Sequence, residues 1–156
     1  KIEVHPGAVN VIPGSASLSV DIRSADAQCL SRAFVQVREL VGGIAARRNV
    51  GWEVQDHQTF APAPCDARLV NLLRSGIAAQ GMPEHVLVSG AGHDAMMMTD
   101  WVPTAMLFLR SPGGISHHPD ESVIVADVQA AFDVMVNFIT RLPEVLDISA
   151  RQGTVA

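Results

Sequence analysis

The sequence predicts an α/β protein, and three patterns carry that prediction. Apolar side chains occupy every second position over residues 15–22, as in a strand with one buried face. Apolar residues recur at steps of three and four over residues 30–44 and again over about 122–142, which is the period of an amphipathic helix. Short apolar runs lie between the helical segments, an order of elements typical of α/β folds.

A first block of β-β-α-β order is predicted over residues 1–61. The apolar run 8–12 is separated from the alternating segment by Pro13-Gly14, so we expect the two to pair as a hairpin. Asp26 is the expected N-cap of the helix, which a pair of glycines weakens near its end. Alternation over residues 50–54 predicts a further strand.

A second block is predicted over residues 62–142, after a proline-rich crossover. Asp66 is the expected N-cap of a helix that ends near Gly81. Its expected core face consists of Leu69, Leu72, Leu73 and Ile77.

The rest of the second block should hold two short buried strands, 86–88 and 105–109, with a short helix between them. The expected core face of the final helix consists of Val128, Phe132, Met135, Ile139 and Leu142. Residues 143–156 form a weakly patterned tail.

Composition excludes several classes of protein. The net charge is -5 and no basic cluster exceeds Arg47-Arg48, which argues against a nucleic-acid partner. No apolar run approaches the roughly 20 residues that span a bilayer, and the first residues lack a secretory pattern, so we expect no membrane partner and a cytoplasmic location. The two cysteines, Cys29 and Cys65, are too few for a disulfide framework and are expected to be reduced and buried.

The loop over residues 113–121 is rich in functional groups. It contains Ser116, His117 and His118 and follows a predicted strand, a position where α/β enzymes place their chemistry. An imidazole there can bind zinc or a similar metal. A plain turn with two solvated histidines explains the segment equally well.

A second candidate segment spans residues 89–95, where His93 and Asp94 follow two glycines at a predicted strand-to-helix turn. Backbone amides in such a turn can face a developing oxyanion. Leu87 stands where a serine-hydrolase elbow requires glycine, so a Ser/His/Asp triad is disfavoured. A structural turn in which His93 packs locally remains open.

Asn10 and Arg23 are a possible carboxylate-binding pair, because the expected hairpin would bring them side by side and guanidinium binds carboxylate through two hydrogen bonds. Both are otherwise ordinary surface groups. We expect His5, His57 and His85 to be structural or exposed.

Five segments occur together in this order along the chain: Asn10-Val11-Ile12-Pro13-Gly14, Asp21-Ile22-Arg23, Pro62-Ala63-Pro64-Cys65-Asp66, Ser89-Gly90-Ala91-Gly92-His93-Asp94-Ala95 and Gly114-Ile115-Ser116-His117. In combination they resemble the hydantoinase/carbamoylase amidases, which include N-carbamoyl-L-amino-acid hydrolases, allantoate amidohydrolases and β-ureidopropionases. The resemblance covers nearly the whole chain up to Leu142.

The resemblance implies part of a two-metal, exopeptidase-like α/β catalytic domain and part of an inserted α+β lid domain that forms a homodimer. It implies two divalent ions (Zn, Mn, Co or Ni), a small ureido or carbamoyl amino-acid substrate, and attack by a metal-bound water on the carbamoyl carbon.

For individual residues, the resemblance makes His117 a metal ligand, with His118 the less suitable of the two histidines. It makes His93 catalytic, by contacting or polarising the substrate. The residues that it assigns to substrate binding are Asn10, Arg23, Gly92 and Ser116.

The family's other ligands and its general-base glutamate lie on His-x-Asp and Glu-Glu motifs N-terminal to the segments matched here. We therefore expect the chain to be part of a longer enzyme and inactive without the rest. Two alternatives stay open: a catalytically silent dimerisation and binding fragment, and an N-acyl amino-acid hydrolase or peptidase of the same superfamily.

Overall fold

A computed structural model describes residues 1–56 and 60–146, which excludes His57 and the part of the predicted tail from residue 147 onward. The chain divides into two compact units, Lys1–Pro62 and Ala63–Ala156. Across the described ranges, no helix is long and apolar enough to cross a membrane.

The first unit begins with an antiparallel hairpin of β1 (Ile2–His5) and β2 (Ser15–Leu18), in which His5 pairs with Ser15 and Ile2 with Leu18. The predicted pairing of residues 8–12 with β2 is wrong, since these residues lie in the loop between the strands. The tight hairpin turns require a positive φ at their first central residue, and the ring of Pro13 holds φ near −65°. The chain therefore closes through a longer loop, in which the Gly14 N–H donates to the His5 carbonyl at 2.9 Å.

β2 is shorter than the predicted segment 15–22 and is not half-buried. Leu18 is 66% exposed, and Val20, beyond the strand end, is 63% exposed. The expectation of one buried face is wrong for the described residues, because none of them packs over this face of the hairpin.

The helix α1 (Ala27–Arg48) is confirmed together with its cap: the Asp26 carboxylate accepts a hydrogen bond from the Cys29 N–H at 2.7 Å. The helix continues through the glycine pair and ends at Asn49, whose φ of 51° lies in the left-handed region. Cys29 is exposed, so the prediction that it is buried is wrong. Cys65 is half-buried, and both thiols are free.

Residues 50–56 form no strand and instead run back along α1. The Val50 N–H donates to a carbonyl in the last turn of α1 at 3.1 Å. One turn earlier, a Cβ placed on Gly42 would lie only 3.1 Å from Cζ2 of Trp52, so the indole packs where the helix has no side chain. Arg38, a further turn back, pairs with Asp56 at 2.6 Å. Packing on the helix thus replaces the predicted strand pairing.

The second unit is built on α2 (Ala67–Ala79) and α4 (Val125–Arg141), which pack together. The predicted cap is confirmed, since Asp66 accepts from the Arg68 N–H at 2.8 Å. Gly76 permits close approach, because a Cβ there would lie 3.4 Å from Cγ1 of Val134. The buried core of this unit, over the described residues, consists of Leu69, Leu72, Leu73 and Val134.

The predicted core face of α4 is wrong. Phe132 is 63% exposed and Ile139 is 62% exposed, whereas Val134 is 1% exposed. The helix is apolar on more than one side, so periodicity alone did not reveal which side meets α2. A 3-10 turn, Leu142–Glu144, follows α4.

The segments 86–88 and 105–109 form no strands. Val86, Leu87 and Val88 are 67–73% exposed, and a strand needs a hydrogen-bonding partner that the described residues do not supply. The second segment is fixed at its start, where Thr104 accepts from the Asp66 N–H at 2.8 Å. The short helix α3 (Asp94–Met98) lies between the two segments, as predicted.

Candidate functional site

His93 lies immediately before α3, in an extended conformation with φ −131° and ψ 159°. Its imidazole Nε2 lies 2.8 Å from Oγ of Ser89. The ring also meets Phe108 edge-on, with centroids 5.7 Å apart and planes at 67°. The imidazole is therefore exposed but held by a polar and an aromatic contact.

The glycine turn before His93 is closely fitted. Ser89 is half-buried, and its hydroxyl contacts Ala91 twice, through the carbonyl at 3.0 Å and the N–H at 3.2 Å. A Cβ on Gly92 would lie 3.4 Å from the sulfur of Met96. The turn before His93 is therefore well packed, while the imidazole of His93 stays exposed to a ligand.

The loop over residues 113–121 is fixed by interactions at its two ends. Arg110, just before it, forms an ion pair with Asp127 in the first turn of α4. Arg110 lowers the pKa of the Asp127 carboxyl below its usual range by donating hydrogen bonds to it. Inside the loop, the Ser111 hydroxyl donates to the Ile115 carbonyl at 2.6 Å, across the 3-10 turn Pro112–Gly114.

His117 has a φ of 58°, a left-handed conformation that is uncommon for a residue with a side chain and that occurs at functional sites. Its N–H donates to the Glu121 carboxylate at 2.9 Å. Ser116, one residue earlier, is exposed.

The two adjacent histidines differ in their partners. Nδ1 of His118 accepts from the Asp120 N–H at 3.2 Å and lies 3.5 Å from its carboxylate. Among the described residues, no hydrogen bond or ion pair involves the imidazole of His117. The local geometry therefore leaves the His117 ring as the one available to a ligand.

Asn10 and Arg23 are not placed side by side by the hairpin. Asn10 lies in the loop at the His5 end, whereas Arg23 follows Ser19, whose N–H donates to the Lys1 carbonyl at the opposite end. The expected juxtaposition rested on a strand pairing that the structure does not have.

Arg23 is held by Asp21, two residues earlier. Nε lies 3.1 Å from both carboxylate oxygens and Nη2 lies 2.5 Å from Oδ2. These hydrogen bonds hold the pKa of the Asp21 carboxyl below its usual range. The carboxylate fixes the direction of the guanidinium fork.

Across residues 1–56 and 60–146, no three His, Cys, Asp or Glu side chains lie close enough together to hold a metal ion. The described residues thus do not fit a complete metal centre. Any contribution of His117 to such a centre requires ligands from elsewhere.

Sequence reasoning missed three residues that hold the candidate residues in place: Ser89 contacts the imidazole of His93, Asp21 binds the guanidinium of Arg23, and Glu121 accepts from the backbone N–H of His117. Each lies two or four residues from the group that it holds. Short polar spacings around a candidate residue are therefore the signal that could have found them.

Comparison with known proteins places these loops in a family. The model of peptidase family M20/M25/M40 matches residues 2–141. A probable allantoate deiminase of Oryza sativa subsp. japonica is 39% identical over 86% of this chain and 30% of its own length. An N-carbamoyl-L-amino-acid amidohydrolase of a Pseudomonas species is 27% identical over 90% of this chain and 34% of its own.

The fold agrees with these sequence similarities. A crystal structure of an amidase of the hydantoinase/carbamoylase family from Burkholderia multivorans superposes with a TM-score of 0.85 and 31% identity. The superposition covers 90% of this chain and 34% of that one. The chain spans about a third of the length of the proteins that it matches.

These matches confirm the α/β fold class and the resemblance seen in the motifs. The chain belongs to peptidase family M20/M25/M40 and is similar, over most of its length, to that family's hydantoinase/carbamoylase amidases.

Proposed function

We propose that the full-length protein carrying this chain is a metal-dependent amidohydrolase that cleaves the N-carbamoyl C–N bond of a small ureido acid. The observation that carries the proposal is similarity, along nearly the whole chain, to proteins named for allantoate and for N-carbamoyl-L-amino acids. Both of these substrates combine a ureido group with a carboxylate, so the enzyme must recognise two different groups.

Arg23 and Asn10, which the hairpin does not place side by side, are proposed to be brought onto the substrate carboxylate by closure of a lid formed by residues 1–61. The support comes from Arg23, whose guanidinium is oriented by Asp21 through Nε and Nη2 and whose side chain is 60% exposed. A bidentate guanidinium suits a carboxylate better than a point charge does. Because binding at a remote group orients the scissile bond, this contact contributes to the rate as well as to affinity.

His93, with Gly92 and Ser116, is proposed to contact the ureido end of the substrate from residues 62–142. An exposed imidazole held on one side by Ser89 has its other nitrogen available for this contact. The glycine lets the backbone approach the ligand.

His117 is proposed as one ligand of a pair of divalent ions, Zn, Mn, Co or Ni, whose remaining ligands and general base come from outside this chain. Its left-handed backbone supports the proposal, because strained conformations persist where function requires them. Its imidazole makes no hydrogen bond or ion pair within residues 1–56 and 60–146, which leaves the ring available to a metal. The proposal includes a homodimer formed through the lid and a cytoplasmic location, the latter consistent with two free thiols.

A second candidate within the family is an N-acyl amino-acid hydrolase or peptidase, which the description of the matching family favours. A third is a catalytically silent fragment that only binds and dimerises. The first two predict different products from the same substrates, and the third predicts none.

The test is ammonia release by the purified full-length protein from an N-carbamoyl-L-amino acid and from allantoate, before and after removal of metal by a chelator. We expect release that the chelator abolishes and added Zn²⁺ or Mn²⁺ restores. Cleavage of dipeptides with no ammonia from either ureido acid would contradict the proposal, and so would no turnover of any of these substrates.

A further inference from the structure

We propose that Ser89 is a positioning residue that keeps the proton of neutral His93 on Nε2, so that Nδ1 faces the substrate as an acceptor for a ureido N–H. The inference rests on the proposed function, and it makes Nδ1 of His93 the group that distinguishes a ureido substrate from an acyl substrate.

The donors and acceptors around the Ser89 hydroxyl are the basis for the proposed tautomer. A hydroxyl has one proton and two lone pairs. The Ala91 N–H can only donate to Oγ, at 3.2 Å, and the Ala91 carbonyl can only accept from it, at 3.0 Å. When the single proton goes to that carbonyl, the 2.8 Å contact with His93 is a hydrogen bond only if Nε2 carries its own proton.

This polarity is the reverse of the one in a serine nucleophile, which donates its proton to histidine. Ser89 accepts from the ring and donates to the backbone. Ser89 is therefore a support for His93 rather than an attacking group, in agreement with the missing glycine at Leu87.

The ring is oriented by more than one contact. The backbone of His93 is anchored at the start of α3, where its carbonyl accepts from the Met96 N–H at 2.9 Å. Phe108 meets the ring edge-on. With Nε2 held by Ser89, the remaining nitrogen has a defined direction, and no hydrogen bond to it occurs among the described residues.

An unprotonated Nδ1 discriminates between the two substrate classes. The terminal amide of a ureido group offers N–H donors, whereas the methyl of an acetyl group offers none. A site built to hydrogen-bond a substrate N–H rejects analogues that lack it, because its polar group is then left unpaired. Ser89 thus acts on specificity through His93.

The direct test is long-range ¹⁵N NMR of the full-length protein labelled at histidine nitrogen, with the His93 signals assigned by their loss in His93→Gln. We expect protonated Nε2 and unprotonated Nδ1 in the neutral ring of the wild type. A neutral ring with its proton on Nδ1 overturns the inference, and this reading needs neither activity nor a variant at Ser89.

The kinetic test compares Ser89→Ala and Ser89→Thr on an N-carbamoyl amino acid and on its N-acetyl analogue. Ser89→Ala should lower kcat/KM on the carbamoyl substrate by about 2- to 12-fold, the range of one neutral hydrogen bond, and change the acetyl rate little. Ser89→Thr, which keeps a hydroxyl, should restore it. Thr99→Val is the matched control, since Thr99 donates to the Met96 carbonyl in the same segment without touching His93.

Equal losses on both substrates, or an unchanged tautomer in Ser89→Ala, overturn the inference while leaving the proposed function standing. Failure of the wild type to release ammonia from any ureido acid would refute the proposed function instead. The two failures are therefore distinguishable.

Discussion

His117 offers the sharpest mutational prediction, because its backbone and its side chain can be tested separately. The residue sits at φ 58°, which costs a residue with a Cβ about 1–2 kcal/mol, whereas Asn adopts this region more readily than Ala does. His117→Asn removes the imidazole and keeps the loop, and His117→Ala removes the imidazole and strains the loop. His118→Ala, next to it in the chain, is the matched control.

If His117 binds metal, both variants should lose metal from the full-length enzyme. The loss in kcat/KM should exceed the roughly 10- to 100-fold that changes in the outer shell of a metal site produce. His118→Ala should keep its metal, because its ring is engaged with Asp120. The assay is elemental analysis of the purified proteins together with kcat/KM on an N-carbamoyl amino acid.

The outcomes separate the two roles of the residue. If His117→Asn retains the wild-type metal content and activity, the ligand assignment is wrong. If only His117→Ala fails, the left-handed backbone is what the site needs and the imidazole is not a ligand.

Three further predictions concern the two units. Arg23→Lys should lower kcat/KM on an N-carbamoyl amino acid by about 10- to 150-fold with metal content unchanged. An equal loss on the carboxamide analogue would show that Arg23 does not bind the carboxylate. Val134 is 1% exposed, so Val134→Ala should lower the free energy of unfolding, measured in urea, by about 1.5–3 kcal/mol because two methyl groups are lost and a cavity is left behind. The same change at Val125, which is 83% exposed, should have little effect. Hydrogen bonds from Arg68 lower the pKa of Asp66 to about 2, so the stability that this carboxylate provides is present above pH ~4 and lost as pH falls towards 2. Asp66→Asn should therefore make the free energy of unfolding depend less on pH between these two values. An unchanged pH dependence in this variant would contradict the role given to the Asp66 carboxylate.

Local interactions were predictable from the sequence, and distant ones were not. The caps at Asp26 and Asp66 were found because each involves an N–H only two or three residues away. The pairing of β2 was missed because its partner precedes a loop of nine residues rather than a tight turn, and residues 50–54 were misread because alternation also suits an extended chain packed on a helix.

The candidate site shows the same division. The positions of His93 before a helix and of His117 in a loop followed from glycines nearby in the sequence. The expected proximity of Asn10 and Arg23 depended on a hairpin register that the two strands do not have. Which apolar side of α4 meets α2 was equally undetermined, because Gly76, rather than any apolar residue, permits the close approach.

The most direct test of the central claim is the ratio of kcat/KM for an N-carbamoyl-L-amino acid to that for the N-acetyl derivative of the same amino acid, measured on the metal-loaded full-length protein. The two substrates share the carboxylate and the side chain and differ only in the terminal group, NH₂ or CH₃. We expect a ratio of at least about 100, because an acceptor aimed at the ureido N–H is left unpaired by the methyl group. A ratio near one, or a preference for the acetyl compound, would contradict ureido specificity and assign the protein to the acyl hydrolases of its family.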